Sequence, residues 1–283
     1  MAQIRENSAQ FQTGSNKTYR LRAGQSSNIV LRIKHKVFDS DNTPYFRALS
    51  MCSVQTTCCQ PFYNMKLAEH LSSSIHVNAR SLFRGTWGNL YPKVPYYMAM
   101  CKSQDVFKDM NGLERSLITG LISTPFIQTA EHATTYRQYS NKTTPFLRFI
   151  ANRPHTLLKG ITTMAARELI FSGLFWYARP TVESKLPAST PLKPLVAASL
   201  SGAIIAPLTS PFDYVSSLFR AGKVSKYNQV PGLNKLLSGE FSRQAIQPLF
   251  KGLGWRTAYI VWAINVLTGV EKTFLNLEQA AKQ

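Results

Sequence analysis

Acidic side chains are scarce in this 283-residue chain: Asp and Glu number 14 against 33 Lys and Arg, and the formal net charge is +19. Charge as a whole is also scarce, at 17% of residues, below the roughly 25% of ordinary soluble domains. The positive balance therefore comes from missing acids, not from added bases. A disordered polycation would be rich in charge and poor in aromatics; 44% apolar and 11% aromatic residues exclude it. Nucleic-acid binders gather Lys and Arg into a stripe, so no nucleic-acid partner is expected. Long aliphatic runs are lacking as well. No 20-residue window is purely aliphatic, and mean hydropathy is −0.14. That excludes a bundle of simple greasy spans. It leaves spans that carry polar residues on an inner face, around an aqueous cavity.

Cysteine is sparse: Cys52, Cys58, Cys59 and Cys101. They show no CxxC spacing and no adjacent His pattern, so a zinc site is not expected; they read as small buried thiols. The histidines (His35, His70, His76, His132, His155) are scattered in polar segments, with His70 and His132 each following a Glu on a basic surface. No nucleophile–base arrangement, phosphate-binding glycine loop or metal-ligand spacing is present. No enzymatic activity, metal or cofactor is expected. No secretory signal is visible. Residues 1–42 carry Arg5, Lys17, Arg20, Arg22, Arg32, Lys34 and Lys36 against Glu6, Asp39 and Asp41. They read as a disordered basic tail and loosely resemble an organellar transit peptide.

What is present is repetition. Three stretches carry no charge, 48–65, 116–130 and 194–212, and each contains or ends on a Pro-Phe pair: Pro61-Phe62, Pro125-Phe126 and Pro211-Phe212. Proline inside a helix removes a hydrogen bond and kinks it, so Pro61, Pro125 and Pro211 are expected kinks. Each pair is followed by a polar segment and then by a second marker: Leu82-Phe83-Arg84-Gly85, Leu157-Leu158-Lys159-Gly160 and Leu249-Phe250-Lys251-Gly252. After each marker comes another mostly apolar stretch, 86–101, 161–178 and 253–270. At about 1.5 Å per residue, such stretches cross most of a bilayer. A threefold internal repeat of two spans is therefore expected.

Charge between the stretches supports insertion. The segments 66–84, 131–159 and 213–251 sum to +10, whereas 102–115 and 179–193 sum to +2. The positive-inside rule expects such an asymmetry of six spans with both termini on the less basic side. In the fifth span Ala198, Gly202, Ala206 and Ser210 recur every four residues, a spacing that lets helices approach closely in lipid.

These features resemble the mitochondrial carrier family, which is built of three repeats of two tilted spans. In that family each odd span carries P-x-[DE]-x-x-[KR] and each even span opens after [FWY]-[KR]-G. The resemblance covers about 45–272. It implies an all-α membrane protein of six tilted helices in three pseudo-symmetric repeats, at 43–108, 109–180 and 181–273, with a C-terminal tail over 274–283. The departures are specific. Repeat one keeps the cation, Lys66, and loses the acid; repeat two loses both; repeat three keeps the acid, Asp213, and loses the cation. The resemblance implies that Lys66 and Asp213 pair in a matrix-side gate. The plainer reading is that both snorkel to the interface. At the cytoplasmic side the family's motif survives only as Asp105 and Lys108. It is not recognisable around Tyr177-Ala178-Arg179 or Val270-Glu271-Lys272.

The family's even spans contact substrate seven and eight positions after the marker glycine. The count gives Pro92-Lys93, Arg167-Glu168 and Tyr259-Ile260, with Arg256 one turn earlier in the last span. Charged residues mid-span are costly and are functional candidates by default. Lys93, Arg167, Glu168, Arg256 and Tyr259 are the expected substrate-binding residues. Trp255 and Trp262 read as pore-lining residues or as interface anchors. The Arg-Glu pair resembles members that move amino acids; it reads alternatively as a helix–helix contact without substrate.

The expected function is transport of a small anionic or zwitterionic metabolite (amino acid, carboxylate or nucleotide) by alternating access. Exchange across the mitochondrial inner membrane is expected, by a monomer that contacts only substrate and membrane lipid. The alternative is a carrier-fold adaptor or membrane-remodelling protein that transports nothing, placed in the inner or the outer membrane.

Overall fold

A computed structural model describes residues 43–72, 82–83, 86–139, 151–152 and 154–282. The expected basic tail over 1–42 and the first marker, Arg84-Gly85, lie outside the described residues. The described residues are mostly helical, with no strand among them. Its elements are α1 (Thr43–His70), α2 (Thr86–Val106), α3 (Gly112–Tyr139), α4 (Ile161–Ser172), α5 (Arg179–Lys185), α6 (Lys193–Arg220), α7 (Leu233–Leu237), α8 (Arg243–Ile246) and α9 (Leu253–Lys282). A π-helical turn, Gly173–Ala178, joins α4 to α5, so these three pieces form one rod. The Arg179 amide reaches back to the Leu174 carbonyl, and Pro180, which has no N–H to donate, follows at once.

Six rods thus exist: α1, α2, α3, α4–α5, α6 and α9. Each packs on its neighbours in the chain, and α9 packs back on α1, closing a ring. Pro61, Pro125 and Pro211 lie inside α1, α3 and α6, and the helices run on past them. Pro92, Pro95 and Pro207 are further interior prolines. The marker glycines start the even rods. Gly160 and Gly252 stand at φ +75 and +76 immediately before α4 and α9. Only glycine takes that backbone region freely, and at Gly252 a Cβ would also lie 2.8 Å from the His70 ring.

The α5 helix runs across the expected 180/181 border, and α9 continues through the expected tail to Lys282.

The expected small-residue stripe is a contact. Ala198, Gly202, Ala206 and Ser210 are all buried, and a Cβ on Gly202 would lie 2.9 Å from the Val261 Cα of α9. The opposite face of α6 is exposed and apolar at Leu200, Ile204 and Leu208. Other rods repeat this arrangement. Leu49, Val54, Tyr91, Leu117, Leu121 and Trp262 face outward, whereas Gln55, Gln60, Asn64, Asn89, Gln104 and Gln128 are buried. The interior thus mixes apolar and polar side chains, whereas a water-soluble domain buries mainly apolar ones. Among the described helices only α6 is long and apolar enough to cross a membrane by composition, with a mean hydropathy of 1.5 over its best window. The other rods fall short because polar residues are interspersed among the apolar ones on their buried faces.

Two sequence expectations are corrected. Cys52, Cys59 and Cys101 are buried, but Cys58 is exposed; it sits about 100° around α1 from Cys59. His70 and His132, expected on a basic surface, are both buried, and His70 Nδ1 lies 3.2 Å from Ser217 Oγ.

Candidate functional site

Buried cations from three rods converge on one carboxylate. Asp213 lies two residues past Pro211 on α6 and is 0% exposed. Lys66 Nζ approaches it at 2.8 Å from α1 and Arg167 Nη1 at 2.8 Å from α4. Arg256, from α9, makes a third ion pair with it. Lys66 and Asp213 are therefore paired and buried, and neither snorkels to an interface. The pair is not isolated, because Asp213 serves three cations.

Arg167 is the second hub. Its Nη1 donates to Glu131 Oε1 at 2.7 Å as well as to Asp213. Its Nε and Nη2 donate to Glu168 Oε1 at 3.0 and 2.6 Å. The other Glu168 oxygen accepts from Tyr96 Oη at 3.1 Å. Glu131 also pairs with Arg220 at 2.6 Å. Neither Glu131 nor Arg220 was expected here: both counted as loop charges. Their only signal was register. Glu131 stands six residues past Pro125 and Arg220 nine past Pro211, on helices that run on past those prolines as far as Tyr139 and Arg220.

Beside this network is a cavity of about 50 Å³, lined by Gln55, Lys93, Tyr96, Glu131, Arg167, Glu168, Arg256 and Tyr259 among others. All five expected substrate residues are in that lining. Tyr259 Oη accepts from Gln55 Nε2 at 2.8 Å. Lys93 is 3% exposed, and its Nζ stands 5.2 Å from the Tyr63 ring centroid. Such a volume admits a few water-sized groups at most, so the site is closed around its own charges. Trp255 and Trp262 are partly exposed and do not line the cavity.

The opposite end differs from the expectation. Asp105 does not join a gate with Lys108. Asp105 pairs with Arg47 of the adjacent α1 at 3.1 Å, and Lys108 is exposed beyond the last turn of α2. The ties that cross the ring come from the two places where no motif was recognisable. Arg179 pairs with Glu271 at 2.7 Å and donates to Thr268 Oγ1 at 2.6 Å. Lys272 pairs with Glu183 at 3.2 Å. These link the α4–α5 rod to α9, which are not adjacent in the ring. The signal was complementary sign: Arg179 and Glu183 on one helix face, Glu271 and Lys272 on the other.

No protein-family model matches this chain, and no curated protein matches it.

Proposed function

We propose that this chain is a membrane-embedded solute carrier that moves a small anionic or zwitterionic metabolite by alternating access. The observation that carries the reading is the cavity: buried, charged, and enclosed in a ring whose outer face is apolar. Ion pairs lie beyond the cavity at both ends. Alternating access needs two barriers of this kind around one site. Six bilayer-crossing rods fit an apolar exterior, even though five fall below the hydropathy of a simple span, because a cavity-facing side need not be apolar. The resemblance to mitochondrial carriers points to exchange across the mitochondrial inner membrane.

In this mechanism Arg167, Lys93 and Arg256 attract the anionic group of the substrate, Glu168 orients Arg167, and Tyr259 shapes the floor. Opening toward the Pro-kinked end separates Lys66 and Arg256 from Asp213. Opening toward the other end separates Arg179 from Glu271. The test is uptake by liposomes holding the purified protein and preloaded with amino acids, carboxylates or nucleotides. Saturable exchange of one class, weakened in Arg167→Ala, is expected. An inserted, folded protein that exchanges nothing would overturn the reading.

One observation favours a second reading, an adaptor without transport. Arg167 already meets three carboxylates, so it needs no substrate to be satisfied. That reading expects Arg167→Ala to lose stability while no solute exchange exists to be lost.

A further inference from the structure

The buried network does not balance. Its cations are Lys66, Lys93, Arg167, Arg220 and Arg256, and its carboxylates are Glu131, Glu168 and Asp213, all buried. Cations therefore exceed carboxylates by two. The carboxylates are fully engaged: Asp213 by three cations, Glu131 by two, and Glu168 by Arg167 and Tyr96. That surplus is counted among the described residues; outside them, 73–81 and 140–150 contain no Asp or Glu, and the acids of 1–42 are Glu6, Asp39 and Asp41. Lys93 stands out. No carboxylate among the described residues lies within ion-pair distance of it; its buried ammonium has an aromatic ring at 5.2 Å and the cavity for company. Arg256 lines the same cavity, and its Nε is buried with no hydrogen-bond partner.

A buried cation without a counter-charge is heavily penalised. A ligand that brings two negative charges would satisfy the surplus. We propose that the central cavity takes a compact dianion, either a short dicarboxylate or a phosphate-like oxyanion, held between Lys93 and Arg256. This rests on the carrier reading and narrows it. A zwitterion is the poorer fit, because its ammonium would need a free carboxylate and Glu168 has none to offer. A neutral solute leaves the surplus untouched.

The test uses the full-length protein in detergent and in liposomes. Thermal unfolding is followed with inorganic phosphate, sulfate, malonate, acetate and glycine in turn, and the same solutes are offered for exchange. Phosphate and sulfate, or malonate, are expected to raise the unfolding midpoint and to exchange, and which of them does so separates the two dianion chemistries. Acetate and glycine are expected to do neither. In Lys93→Gln the dianion-over-monoanion preference should fall roughly tenfold, the worth of one charge-assisted contact. Lys93→Arg, which keeps the charge, should retain it and so controls for folding. Glycine or a neutral solute exchanging as well as the dianions would overturn the proposal and leave the carrier reading intact. An unchanged preference in Lys93→Gln would do the same. Absence of both stabilisation and exchange for every solute would overturn both.

Discussion

The two ends of the ring are closed by the same kind of bond in opposite settings. At the end that follows the interior prolines, Lys66, Arg167 and Arg256 share one carboxylate that is 0% exposed. At the other end the ties are separate: Arg179 and Glu271 are 5% and 17% exposed, and Lys272 and Glu183 are 45% and 21% exposed. Buried ion pairs cost heavily if one partner is removed, roughly 3–5 kcal/mol. Exposed pairs contribute about 0–1 kcal/mol, because solvent screens them and the long side chains lose freedom. A motif count of charged positions does not measure the strength of a gate; burial and sharing do. Under the proposed carrier function, the end with the buried hub should be the stronger barrier, and opening of the other end should be the easier excursion.

The largest expected effect follows at the hub. Asp213→Asn leaves three cations facing a neutral amide. Detergent-solubilised protein should lose about 3–5 kcal/mol of stability in chemical unfolding, more than a single charge change at the Lys272–Glu183 pair. The hub also changes what a charge swap reports. An isolated pair is restored when both charges are reversed. In the double variant Lys66→Asp, Asp213→Lys, the new lysine would stand beside Arg167 and Arg256. The double variant should therefore be less stable than Lys66→Asp alone. Recovery to near the native unfolding midpoint would show that Lys66 and Asp213 act as a private pair and that the hub description is wrong.

A smaller effect tests the ring itself rather than its ends. At Gly202 a Cβ would sit 2.9 Å from the Val261 Cα, a backbone atom that cannot swing away. Gly202→Ala should lower stability by about 1–3 kcal/mol, as overpacking does. Gly254→Ala, in α9 with nothing within 4 Å of the added atom, is the matched control and should be close to neutral. Equal unfolding midpoints for the two would remove the close α6–α9 crossing from the account.

Much of this was legible in the sequence, for identifiable reasons. The three Pro-Phe pairs and the [KR]-Gly markers divided the chain into rods, because a positive-φ glycine and an interior proline have few local alternatives. Counting from Gly160 and Gly252 found Arg167, Glu168, Arg256 and Tyr259, since helical register carries faithfully over two turns. Glu131 and Arg220 were missed because they belong to no spaced motif. A charge in a polar-looking segment reads as solvated unless the helix is known to reach it; α3 runs past Glu131, and α6 runs as far as Arg220. Asp105 and Lys108 misled in the opposite way. They have motif spacing, but α2 ends at Val106, so Lys108 has no helix to hold it toward the ring. The pairing of Arg179 with Glu271 is a contact between distant segments, and nothing local encodes it.

The smallest expected effect is the sharpest contrast with the hub. Glu183 and Lys272 meet at 3.2 Å, partly exposed. Reversing either charge alone, as Glu183→Lys or Lys272→Glu, should cost up to about 1 kcal/mol, because it replaces an attraction in high dielectric with a repulsion. Reversing both restores opposite signs at the same separation. The double variant should return to within a few tenths of a kcal/mol of the native stability, a coupling that a double-mutant cycle reads directly. Moderate salt should shrink the coupling, since screening acts on exposed charges over about 10 Å. The same cycle at Lys66 and Asp213 should show no recovery and little response to salt. If the two cycles came out alike, burial and sharing would not be what separates the ends. The asymmetry between barriers would then have to come from the helices themselves, with the π-helical turn at Gly173–Ala178 as the first place to look, since such turns interrupt the regular hydrogen-bond register.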